Sequence, residues 1–344
     1  LGWGLARVGW DGPLRRPGFS SVHGPLMGAG FLGTLISLER AVALGRPWAY
    51  ATPLLTGLGG VSLIVGAPLL AAQWLMLAGS LGLVAIFAAI IRRHPALYTF
   101  TMGGGSLVWA LGNLLWCLGW PVFLVVFWWA AFLVVTIAGE RLELARLQQV
   151  TGAAQATLLL LLGILLTGLL LLGWSFDGGV RLFGLGLAGL ALWLGRHDIA
   201  RRTVKQAGLT RFIAICLLTG YVWLGISGLS AMWFGGVPVG PQYDATLHAF
   251  FLGFVFAMIF AHAPIIFPAV LGARMAYRPL FYAHVVLLQV TLVVRFIGDA
   301  AGWSAGRQVG GLLNAVMLLL FLVNTVSALQ SPPERAGTAQ GRGA

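Results

Sequence analysis

Apolar runs of about twenty residues recur along the whole chain, and they limit its fold more than any single motif does. A helix needs about 20 apolar residues to cross the hydrocarbon core of a bilayer. Eleven runs meet that need, at roughly 21–43, 52–71, 73–91, 96–118, 120–139, 154–173, 179–195, 211–234, 245–268, 279–298 and 308–328. Charged residues are 9% of the 344, where a soluble domain carries about a quarter. So few charges cannot clothe a water-facing surface. The expected fold is therefore all-α, a polytopic transmembrane helix bundle of about 11 helices, or 12 if one more precedes the first run. Residues 1–20 read as an N-terminal periplasmic-side segment and 21–330 as the bundle. The tail SPPERAGTAQGRGA, 331–344, reads as disordered and cytoplasmic.

The net charge of +12 resides in short connections between apolar runs. That placement suits anionic headgroups and excludes nucleic acid as the partner. The connections after the odd-numbered runs, with the C-terminal tail, hold 15 of the 21 Lys/Arg. The positive-inside rule then puts those connections and the C-terminus in the cytoplasm of a multi-pass protein of the bacterial inner membrane. The two cysteines, Cys117 and Cys216, lie inside apolar runs and form no disulfide framework. GxSxG, HExxH, Walker A and CxxCH are all absent, so hydrolase, ATPase and covalent-haem chemistry have no support.

The stretch DATLHAFFLGFVFAMIFAHAPII keeps two histidines, His248 and His262, inside an apolar run. Ionisable residues within the membrane are costly and are functional candidates by default. Counting along the runs puts His23 and His248 at similar depth near the outer face. His262 lies about 21 Å further along, at 1.5 Å per residue, level with His284 in the inner half. Two pairs result, His23 with His248 and His262 with His284. Imidazoles from facing helices ligate a haem iron from both sides, so one or two haems b are implied. Histidines that merely hydrogen-bond between helices are the competing reading. His94 and His197 sit beside arginines at run ends and read as solvated.

Neighbouring residues add candidates. Asp244, one turn before His248, is placed to accept its second ring N–H or to cap the helix. Arg295 could meet a propionate on the outer side, and Arg40 or Arg274 on the inner side; interfacial snorkelling explains each equally. Gly28, Gly30 and Gly33 follow His23, and Gly253 follows His248 in a shared H-x4-G spacing. Glycine admits a haem plane or a neighbouring helix. Met27 lies four residues after His23, and Met258 four before His262. Thioether with imidazole suits copper, the competing metal, while methionine also fills cores. Glu39-Arg40 and Glu140-Arg141 end the first and fifth runs and read as charge compensation at the interface.

The stretches HGPLMGAGFLGTLISLERAVALGRPWAY and DATLHAFFLGFVFAMIFAHAPIIFPAVLG resemble the NnrS family of bacterial haem- and copper-containing membrane proteins, associated with nitric-oxide stress. More distantly they resemble the histidine-bearing helices of haem-copper oxidase catalytic subunits. The resemblance implies ligation of haem or metal by His23, His248 and His262; His284 rests on its depth. It also implies nitric oxide or another small gas as ligand, in a nitric-oxide response or a redox relay. The chain departs from these families in having eleven runs rather than twelve helices and no adjacent His-His pair. A secondary transporter or channel, binding protons or substrate at the same histidines, is the alternative.

Overall fold

The computed structural model describes residues 5, 9–10, 19–145 and 150–330. The expected tail, 331–344, and most of the expected N-terminal segment lie outside them. The fold is all-α. Eleven long helices follow in order: α1 (Val22–Leu44), α2 (Pro47–Val65), α3 (Leu69–Arg93), α4 (Leu97–Cys117), α5 (Val122–Ala145), α6 (Gly152–Leu171), α7 (Phe176–His197), α8 (Gly208–Phe234), α9 (Pro241–Leu271), α10 (Phe281–Ala300) and α11 (Ser304–Ser327). Ten are long and apolar enough to cross a membrane. The remaining one, α4, is diluted by the polar run TFTMGGGS, yet its 21 residues extend about 31 Å. Short connections join it to α3 and α5, and it packs against both. The chain is a polytopic membrane protein.

Backbone chemistry sets the ends. Gly45, Gly66 and Gly272 stop α1, α2 and α9 with φ of +62°, +78° and +64°, the left-handed conformation that glycine reaches without strain. Gly66, followed by Ala67-Pro68, corrects one boundary. The sequence reading ended the second run at residue 71, whereas α2 ends at Val65 and α3 starts just after the proline. The side chains of Thr151 and Ser175 cap α6 and α7 by accepting backbone N–H bonds of 3.3 Å. A two-residue antiparallel pair, β1 (Arg274–Met275) with β2 (Leu329–Gln330), ties the α9–α10 connection to the chain beyond α11.

The central helix is α5. Of its apolar stretch 83% is buried, and it touches α1, α4, α6, α7 and α9. Small residues let the helices approach closely. A Cβ on Gly33 of α1 would stand 2.2 Å from the Trp109 ring of α4. Uncharged polar side chains bridge helices inside the bundle. Trp129 donates to Asn113 Oδ1 at 3.0 Å, and Trp223 donates to Gln289 Oε1 at 2.5 Å.

Two helices depart from α geometry. In α1 the stretch Leu26–Leu32 is π-helical, and in α9 so is Ala249–Val255. Among the described residues these are the π-helical stretches. The first begins three residues after His23, the second directly after His248. Such widened turns are frequent at functional sites.

Candidate functional site

A cavity of about 460 Å³ lies at the His23 end of the bundle, among α1, α5, α9, α10 and α11. Its size falls within the range of about 300–1,000 Å³ usual for cofactor and ligand sites. The walls are mostly apolar, with Phe123 from α5 and Phe251 and Phe256 from α9. Its polar groups are few: His23, Tyr243, Asp244, His248, Arg295 and Asn314. Met27 lines it as well. The structure thus brings His23 and His248 into one cavity.

The orientation of His248 is fixed. Its Nδ1 donates to the carbonyl of Asp244 at 2.7 Å, four residues earlier. The Nδ1 proton leaves Nε2 as the lone-pair atom of the ring. This backbone tie is the arrangement that orients a ligating imidazole. The carbonyl of Asp244, rather than its carboxylate, provides the tie. The carboxylate instead meets Arg307 Nη2 at 2.6 Å. Asp299 joins the same group, 2.9 Å from Arg307 Nε and 3.7 Å from Arg295 Nε. Two acids and two arginines therefore balance one another beside the cavity. Asp299, fully buried, was missed in the sequence reading. Its signal was its rarity and its i,i+4 spacing from Arg295: the chain has only nine acidic residues.

The other two histidines are engaged elsewhere. His262 repeats the backbone tie, with Nδ1 donating to the carbonyl of Met258 at 2.6 Å. Its Nε2 accepts from Arg141 Nη2 of α5 at 2.9 Å, so both ring nitrogens have partners. Arg141 is buried and also lies 4.0 Å from Asp198, whose carboxylate accepts from Tyr221 at 2.7 Å and from the Ala200 N–H at 2.7 Å. Next to it, Arg40 of α1 pairs with Glu140 of α5 and with Glu39. Arg40 is thus committed to carboxylates of its own chain.

His284 sits among the rings of Phe212, Phe260, Phe281 and Phe321, at centroid distances of 4.8–6.0 Å. Asn324 lies 3.4 Å from its Nδ1, and its Nε2 has no hydrogen-bond partner. The structure does not bring His262 and His284 together. Phe260, which His284 packs against, is two residues before His262. Two residues are about 200° around a helix, so the two imidazoles lie on opposite sides of α9. Met258 points away from a metal position as well. Its methyl group fills the space beside Gly220 of α8, 2.5 Å from where a Cβ would be.

The glycines serve packing. A Cβ on Gly28 would meet Trp129 at 3.1 Å, one on Gly30 would meet Met76 at 3.1 Å, and one on Gly253 would meet Trp223 at 2.4 Å. The space at Gly30 and Gly253 is taken by neighbouring helices, while Gly28 both packs on Trp129 and lines the cavity. Among the described residues no group of three or more His, Cys, Asp or Glu is arranged to hold a metal ion. The cavity presents two imidazoles and one thioether on an apolar surface, a set that suits haem better than a hydrated cation.

A family model described as a domain of unknown function (DUF8744) matches residues 1–330. No curated protein and no solved structure matches the chain.

Proposed function

The chain belongs to the family of that domain, DUF8744, and we propose that it is a haem b protein of the bacterial inner membrane. The carrying observation is that His23 and His248 line one apolar cavity, and each precedes a π-helical stretch. In this reading the two imidazoles would hold the haem, and the cavity end of the bundle would face the periplasm. Bound there, haem would supply one-electron chemistry and a site for nitric oxide or a similar gas. The residues have distinct tasks. The Asp244 carbonyl keeps the Nδ1 proton on His248, so that Nε2 would be the atom that holds the group. Phe123, Phe251 and Phe256 keep water from the ring. Met27, which also lines the cavity, would be the alternative residue to hold haem or copper. This function agrees with the resemblance to the NnrS family in nitric-oxide response or redox relay. The inner histidines do not enter it as a facing pair.

Haem content of the purified full-length protein, expressed with haem supplied, tests the proposal. One haem b per chain is expected for the wild type and for His284→Ala. Loss is expected for His248→Ala. Equal haem content in wild type and His248→Ala, or none in either, would sink it.

One observation favours a second reading, a transporter. The helices α1, α5 and α9 line the cavity at one end and are cross-tied at the other by Arg40 with Glu140 and Arg141 with His262. Such a bundle is open at one end and locked by buried polar bonds at the other. Proton-coupled flux through a haem-free protein would establish that reading.

A further inference from the structure

The wall formed by α10 and α11 carries donors that the protein itself leaves unmatched. Arg295 is 7% exposed and Asn314 is 2% exposed, and both line the cavity. The Nε of Arg295 is buried without a hydrogen-bond partner. Its ion-pair neighbour, Asp299 Oδ2, is 3.7 Å away, beyond hydrogen-bond reach. Arg307 lies closer to both acids, at 2.9 Å from Asp299 and 2.6 Å from Asp244. Asp299 and Arg307 Nε are likewise buried without a hydrogen-bond partner, so Arg295 is balanced in charge by these acids while its Nε is not hydrogen-bonded.

Asn314 has the same surplus. Its Oδ1 accepts from Thr291 Oγ1 at 2.7 Å, while its buried Nδ2 has no partner. Reversing the amide gives one N–H to Thr291 and still leaves the other unmet. Buried donors in native structures are nearly always satisfied. Two unmet donors side by side, one of them charged, call for an oxygen acceptor with negative charge.

We propose that Arg295 and Asn314 form a carboxylate-docking pair for the ligand of the cavity. The inference rests on the haem reading, under which the docked group is a propionate. The pair would fix which edge of the ring faces α10 and α11, and so which way round the haem enters between His23 and His248. A carboxylate there accepts the Arg295 N–H groups in a fork geometry and the Asn314 N–H beside them.

The test compares haem b with its dimethyl ester, in which both carboxylates are blocked. Each is titrated into the full-length haem-free protein in detergent and followed by absorbance. The wild type should bind haem at least tenfold more tightly than the ester, as expected for a charge-assisted hydrogen bond of about 1.5–3 kcal/mol. Arg295→Gln should remove that preference by weakening haem and leaving the ester unchanged. Asn314→Ala should act in the same direction with a smaller effect. The wild-type comparison needs no variant to fold. Equal affinity for haem and ester, or an Arg295→Gln variant that weakens both alike, would overturn the docking pair and leave the haem reading standing. If neither porphyrin binds, the haem reading falls and the pair falls with it.

Discussion

Replacing His262 with Phe isolates what this buried imidazole does. In the structure it is a hydrogen-bond acceptor for Arg141, at 2.9 Å. Removing it strips a charged donor of its acceptor in a site where Arg141 is 5% exposed. Hydrogen bonds to charged groups contribute about 1.5–3 kcal/mol. Bonds between membrane helices average nearer 0.6 kcal/mol, because the unfolded chain in lipid finds other partners. A cost of about 2 kcal/mol is expected. Arg141→Met should cost more, about 3–5 kcal/mol, because it also takes the counter-charge from buried Asp198. That carboxylate keeps its bonds from Tyr221 and Ala200, which limits the loss. The double variant should cost about 1–2 kcal/mol less than the sum of the single ones. Unfolding in mixed detergent micelles, followed by helical circular dichroism, measures all four proteins. A coupling below about 0.3 kcal/mol would refute the pairing. So would a His262→Phe variant of full stability that has lost bound haem, since that result makes His262 a ligand.

Other outcomes follow from the same geometry. Gly33→Ala places a methyl 2.2 Å from the Trp109 ring and should destabilise the bundle by about 1–3 kcal/mol by overpacking, read from the same unfolding assay; unchanged stability would show that α1 and α4 can part freely. Glu140→Gln leaves Glu39 as the remaining ion-pair partner of Arg40 among the described residues and should cost about 3 kcal/mol, whereas the charge swap Arg40→Glu with Glu140→Arg should recover part of that loss. His284→Phe fills an aromatic surround and removes an unpartnered Nε2 but also the Nδ1 that Asn324 meets at 3.4 Å, so stability should change by no more than about 1 kcal/mol; a loss of haem in this variant would instead assign His284 a ligand role.

The helix count was legible because membrane spans announce themselves by length and apolarity. The Gly66-Ala67-Pro68 stop was also written in the sequence, but an unbroken apolar run on both sides hid it. That His23 and His248 meet at one end of the bundle was legible because residue number converts to distance along a helix. Azimuth was harder. That His284 would face Phe260, on the far side of α9 from His262, depends on how α10 packs, and residue counting carries no such information. The same limit hid the meeting of Glu140-Arg141 with Arg40 and His262, which needs α1, α5 and α9 to converge at one end. Glycine was ambiguous in principle. A missing Cβ reads alike whether a cofactor or a tryptophan fills the space, and here Trp109, Trp129 and Trp223 fill it.

The most direct test of the central claim is the dithionite-reduced-minus-oxidised absorption spectrum of the purified wild type beside His248→Ala, each recorded before and after nitric oxide. Sharp α and Soret bands of haem b in the wild type, shifted by nitric oxide and absent from His248→Ala, are the predicted result. A wild type that stays colourless after haem is supplied, or bands that persist unchanged in His248→Ala, would contradict a haem held between His23 and His248.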